Sequence, residues 1–112
     1  MKPEIVKFLR DVKDSIGVID QHLKNTPDFS AYENDIKTQD AVLRRLFIIG
    51  EALWQVNKIV PDIEISNKKK IIGLRHILIH DYDVVEDETI WVICKKHLFE
   101  LDKEVAAILD TK

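Results

Sequence analysis

The chain has 112 residues, of which 46% are hydrophobic and 33% charged, with only three glycines and three prolines. That length and balance fit one folded domain of about 5–15 kcal/mol stability, exclude a disordered chain, and favour helices over a turn-rich sheet protein. A net charge of −3 gives no general electrostatic grip on nucleic acid, so any such contact has to be local, as at Lys68-Lys69-Lys70 and Arg75.

Pro3 suits the first turn of a helix, where a missing N–H costs nothing. From there Ile5, Leu9, Val12, Ile16, Ile19 and Leu23 recur at spacings of four and three, the seam of a bundle helix, with Phe8 widening it. Asn25-Thr26-Pro27 ends this helix, because the residue before a proline is pushed out of helical angles. Ser30-Ala31-Tyr32-Glu33 has capping-box form and predicts a short helical turn.

A long second helix is predicted from about Asp35 to Val60, with Val42, Leu46, Ile49, Leu53, Val56 and Val60 as its core stripe. A second stripe of Leu43, Phe47, Gly50 and Trp54 lies beside it. Two readings fit that surplus: a contact with another subunit, eased by Gly50, or a wide buried face within one chain. Arg44 and Arg45 are most simply solvated.

Pro61-Asp62 breaks the second helix, and Ser66 or Asn67 can cap a third that runs from Lys68 to about Leu78. Gly73 weakens that helix, so it is expected to serve close packing or access to Arg75. Residues 81–85 read as a connector, with Glu86 or Asp87 capping a last helix whose stripe is Trp91, Cys94, Leu98, Leu101, Val105 and Ile108. Four amphipathic helices with short connections read as an all-α, antiparallel four-helix bundle in a single domain spanning 1–112, with an extra short helical turn. The single cysteine, Cys94, forms no internal disulfide and reads as a buried hydrophobe, consistent with the cytoplasm. Met-Lys-Pro-Glu at the N-terminus lacks the apolar core of a signal peptide, and no apolar run reaches membrane-spanning length.

The chemistry concentrates in Gly73-Leu74-Arg75-His76-Ile77-Leu78-Ile79-His80-Asp81-Tyr82. An arginine, two histidines, an aspartate and a tyrosine inside an apolar segment are costly for packing alone. Arg75 and His80 suit phosphodiester chemistry. A neutral imidazole takes a proton from a ribose 2′-hydroxyl, an imidazolium gives one to the leaving oxygen, and a guanidinium forks onto the phosphate. Five residues on a helix turn the two about 140° apart. They meet only if the helix ends before His80, or if the arginine reaches around, as across a dimer interface. The plain reading is an arginine paired with an acid and a histidine at a helix end. His76 and His80 share a face as H-x-x-x-H, with Asp81 or Asp83 near, but a solvated face is the simpler reading and no metal site is assigned. His22 and His97 read as surface residues. Tyr82, two residues past His80, can stack on a base, anchor a turn, or accept a covalent modification.

The segment from Gly73 to Tyr82 resembles the R-x-x-x-x-H-x-Y signature of the HepT-like toxins of the HEPN superfamily. Thr38-Gln39-Asp40-Ala41-Val42 and Ile48-Ile49-Gly50-Glu51-Ala52 are similar to the family's second helix, and Val85 to Trp91 keeps its spacing, so the resemblance covers most of the chain from about Thr38 to Trp91. It implies a homodimeric helical bundle that cuts RNA without a metal, with Arg75 and His80 as the catalytic pair and His76, Asp81 and Lys70 as supporting residues of the cleft. It further implies the toxin half of a type VII pair. The antitoxin would be an MntA-like nucleotidyltransferase that uses ATP and magnesium to attach AMP to Tyr82. This chain would need no cofactor of its own and would engage neither membrane nor DNA. The alternative is a non-catalytic nucleotide- or partner-binding module. Asp81 stands where the family usually has glycine, Asn67-Lys68 where it has Pro-Trp, and Glu86 where it has Asp.

Overall fold

A computed structural model describes residues 1–111; the side chain of Tyr82, like Lys112, lies outside the described residues. All the regular elements of the described chain are helical, with six α-helices in chain order: α1 (Pro3–Leu23), α2 (Phe29–Glu33), α3 (Ile36–Ile59), α4 (Lys68–His80), α5 (Asp87–Val92) and α6 (Leu98–Asp110). A 3₁₀ turn, Tyr82–Val84, follows α4, and a π-helical turn, Ile93–His97, joins α5 to α6 without a break. The result is the expected all-α bundle. α1 lies along α3, α4 packs on α3, α6 packs on α1, and α2 bridges α3 and α5.

The apolar spacing accounts for the central layer. All six stripe residues of α1 are buried, and on α3 Val42, Leu46, Ile49, Leu53 and Val56 meet them in one continuous core with Ile90, Ile93, Leu98, Leu101 and Val105. A fully buried aliphatic side chain stabilises the fold by about 1.5–3 kcal/mol relative to exposure, so this seam dominates the stability. Two helix starts are capped by local side chains. The Asp28 carboxylate accepts from Ala31 N–H at 2.9 Å and so caps α2, and Asp35 accepts from Thr38 N–H at 3.0 Å and Thr38 Oγ1 at 2.6 Å to cap α3. These bonds hold the Asp35 carboxyl below its usual range.

Three expectations need correcting, and one residue gains a role. The cap of α2 is Asp28, not Ser30, because the helix begins two residues earlier than the capping-box reading placed it. Asn67 precedes α4 in the left-handed conformation, φ 62°, and makes no side-chain cap bond; an N-cap needs extended angles to aim its side chain at the next N–H groups. Tyr32, given no role from the sequence, is buried with its ring 5.5 Å from that of Trp91, docking α2 onto α5. His97 is half-buried rather than superficial, and its Nδ1 has no hydrogen-bond partner among the described residues. No helix is long and apolar enough to cross a membrane among the described residues.

The connection into α4 is pinned. Ser66 donates from its N–H and its hydroxyl to the Glu104 carboxylate on α6 at 3.0–3.2 Å, and Lys68 Nζ donates to the carbonyls of Pro61 and Ile63 at 3.0 and 3.1 Å. Lys68 is therefore committed to the loop, while Lys69 and Lys70 remain exposed.

Candidate functional site on α4

α4 carries the motif, and its neighbours divide it into three faces. One meets α3. A Cβ added to Gly50 would lie 2.7 Å from Arg75 Cβ and 3.1 Å from the Ile71 carbonyl oxygen, so α3 and α4 cross with no room for a side chain between them. The close approach that Gly50 allows is thus made with α4 of the same chain. Next along this face, Leu78 and Ile79 border an open apolar groove with Leu43, Phe47, Asp40 and Arg44 of α3. The second face looks toward α5: Leu74 and Ile77 sit with Val84, Val85 and Thr89, and Lys70 lines a shallow groove with Glu86 and Glu88. The third is solvent, where Gly73, His76 and His80 are exposed.

Gly73 has nothing within 4 Å of an added Cβ, so it serves no close packing in this chain. It also lies about 200° round the helix from Arg75 and does not open a path to it.

Arg75 is turned in toward α3. Its Nε–H donates to Glu51 Oε1 at 2.6 Å, and its guanidinium carbon lies 4.2 Å from the centre of the Trp54 ring. Lys58 Nζ sits 4.1 Å from the same ring. The Arg75 side chain is 18% exposed and that of Glu51 35%, so this pair is sheltered rather than solvated.

His80 lies elsewhere. α4 continues through His80 instead of stopping near Leu78, which removes the arrangement in which the histidine folds back on the arginine. His80 is exposed at the last helical position, with its ring 4.6 Å from that of His76 and tilted 53°. No hydrogen bond joins Arg75 to His80 within the chain: they leave α4 on different faces, as their five-residue spacing requires. Asp81 is exposed and ends the helix, donating its N–H to the Ile77 carbonyl at 2.7 Å. Tyr82 opens the 3₁₀ turn that follows; its side chain lies outside the described residues. Among the described residues no three His, Cys, Asp or Glu side chains come together as a metal site.

The comparison with known proteins covers this whole arrangement. The family model described as Ribonuclease HepT-like matches residues 12–108, which include α3, α4 and every motif residue. The chain belongs to the HepT-like family. Its relatives include three proteins of Methanocaldococcus jannaschii. "Putative RNase MJ1380" is 31% identical, with 96% of this chain and 98% of that protein covered. "Putative RNase MJ0125" is also 31% identical, with coverage of 96% and 93%, and "Putative RNase MJ0127" is 33% identical, with 96% and 89%. No solved structure is a significant match. Around Arg75, Glu51 and Trp54 are the residues that reading α4 alone misses. The available signal was an acid directly after Gly50 on a stripe that carries Trp54.

Proposed function

We propose that this HepT-like chain is a metal-independent endoribonuclease, with Arg75 and His80 carrying the reaction at a cleft completed by a second copy. The observation that carries the reading is the disposition of α4. It presents a sheltered guanidinium on the α3 side and an exposed imidazole at its last position. A ribose 2′-oxygen attacks the adjacent phosphorus while its proton passes to a neutral His80 imidazole. The bond from phosphorus to the 5′-oxygen breaks, and an imidazolium gives that oxygen its proton. The products are a 2′,3′-cyclic phosphate and a 5′-hydroxyl. Arg75 takes up the charge that builds on the phosphoryl oxygens. Since the two side chains leave different faces of α4, a dimer that lines two copies of α4 along one groove supplies the missing proximity. His76, beside His80, and Asp81 border the RNA path; Lys70 sits over α5 and contributes at most at its margin.

The same reading makes the chain the toxin of a toxin–antitoxin pair. The Tyr82 hydroxyl attacks the α-phosphorus of ATP on a nucleotidyltransferase partner, pyrophosphate leaves, and AMP on the tyrosine blocks the cleft. The test is cleavage of RNA in EDTA by the purified full chain. Wild type should leave cyclic phosphate ends, and Arg75→Ala and His80→Ala should abolish them and permit growth where wild type arrests it. Cleavage that needs added metal, or mutants as toxic as wild type, defeats the proposal. Coexpression with the partner should add AMP mass to wild type and not to Tyr82→Phe. A second reading, a non-catalytic binding module, draws on the Arg75 charge already being matched by Glu51. It predicts a tight complex with the partner and no cleavage at any dose.

A further inference from the structure

We infer that Glu51 and Trp54 are positioning residues for Arg75, holding its guanidinium by the Nε edge and the π-face so that the two Nη groups remain free to fork onto a phosphate. The inference rests on Arg75 being the phosphate-binding group in the proposed reaction. Three contacts define the side chain from its root to its tip. Gly50 lets the Arg75 backbone lie directly against α3, where an added Cβ would stand 3.4 Å from Arg75 Cα. Glu51 Oε1 takes the Nε–H at 2.6 Å. The Trp54 ring covers the guanidinium, with Cζ 4.2 Å from the ring centre. Neither Nη group has a hydrogen-bond partner among the described residues.

The choice of edge matters. A carboxylate that gripped both Nη groups side by side would occupy the fork that recognises phosphate. A carboxylate on Nε leaves that fork open while removing the rotational freedom of a long side chain. Trp54 restricts the remaining rotation, since a guanidinium over a ring is held parallel or tilted by the quadrupole. Glu51 and Trp54 are three residues apart on α3 and so share the face that meets α4. A group held to within about an ångström is worth up to roughly 100-fold in rate, because misplacement of that size spoils the approach. The opposite sense is a latch, in which Glu51 competes with phosphate for Arg75 and lowers activity. The geometry favours positioning because the contact leaves the bidentate edge untouched.

The experiment is RNA cleavage in EDTA by full-length Glu51→Ala, Glu51→Gln, Trp54→Phe and Arg75→Ala, with the Glu51→Ala/Arg75→Ala double variant completing a cycle. Positioning predicts that Glu51→Ala lowers kcat roughly 10- to 100-fold with KM changed much less. Glu51→Gln, which keeps an oxygen acceptor for Nε–H, should recover most of it. Trp54→Phe, which keeps a ring face, should stay within about fivefold of wild type. The double variant should be no slower than Arg75→Ala alone. Glu51→Ala as fast as wild type, or faster, overturns positioning, and the faster outcome identifies a latch. An Arg75→Ala enzyme as active as wild type removes the role of Arg75 and this inference with it. Arg75→Ala inactive beside an unimpaired Glu51→Ala removes the inference alone. The Arg75 Nε–H resonance in ¹⁵N NMR is a readout free of turnover: it should be slowly exchanging in wild type and Glu51→Gln and lost in Glu51→Ala. An averaged wild-type signal overturns the inference.

Discussion

The α1–α3 seam and the α3–α4 crossing use the same long helix in opposite ways. Seven of the 21 residues of α1 are buried, six of them aliphatic and evenly spaced, and they interlock with the primary stripe of α3. On α4 only Ile71 and Leu74 of 13 residues are buried. Its contact with α3 runs through a glycine, a charged pair and an indole, and its last turn, with His76 and His80, stands in solvent. The first interface is redundant and apolar, so it tolerates adjustment by spreading it over many contacts. The second is more polar and more specific: Arg75 alone meets Gly50, Glu51 and Trp54 there. α4 is anchored at its first half, through Ile71 and Leu74, and its second half is left more exposed.

Breaking the apolar seam should have the largest effect. Leu9→Ala, at a fully buried position, should cost about 2–5 kcal/mol by urea denaturation, whereas Ile77→Ala on the outer part of α4 should cost far less. Equal costs at the two positions would mean that α4 is as deeply integrated as α1. Gly50→Ala should cost about 1–3 kcal/mol and move α4, because its Cβ would meet Arg75 Cβ and backbone rather than a flexible side-chain tip. Its thermal midpoint and its RNA cleavage should fall together. A variant as stable as wild type would show that the crossing has slack.

Alkaline pH probes the seam from another side. Burial pushes the Cys94 thiol up to about 12, with Lys95 opposing and Asp20 adding to the shift, and burial likewise raises the Tyr32 phenol. Both groups stay protonated in the folded chain while their unfolded counterparts ionise above about pH 8.5 and 10, so the unfolded state binds fewer protons and stability declines as pH rises. The decline should reach about 2 kcal/mol by pH 10, mostly from the thiol. Urea titrations of wild type and Cys94→Ala at pH 7 and 10 check it; an equal slope in both would place the effect elsewhere. Asp28→Ala, removing the cap of α2, should cost about 1 kcal/mol. Smallest of all, His80→Ala should leave stability within about 0.5 kcal/mol while cleavage is lost, separating the exposed end of α4 from the core. A large drop in its melting midpoint would contradict that separation.

Much of this architecture was readable from residue spacing. The stripes of α1 and α3 follow from the 3.6-residue period, because a buried helix face has to be apolar wherever it comes round, and their limits near Leu23 and Ile59 follow from Pro27 and Pro61. Short elements were less legible: Asp28 and Ser30 are both good caps, and only the packing of Phe29 and Tyr32 on Trp91 selects between them. The surplus stripe on α3 also had two readings, and Gly50 is resolved by the arrival of α4.

Local order along the chain therefore settled which segments are helices, which faces are buried and where an Arg-x-x-x-x-His motif sits, since those depend on residues within a turn or two of each other. Tertiary contact alone decided that Arg75 leans on Glu51 and Trp54, because a partner such as Glu51, 24 residues away, is met only when two helices cross.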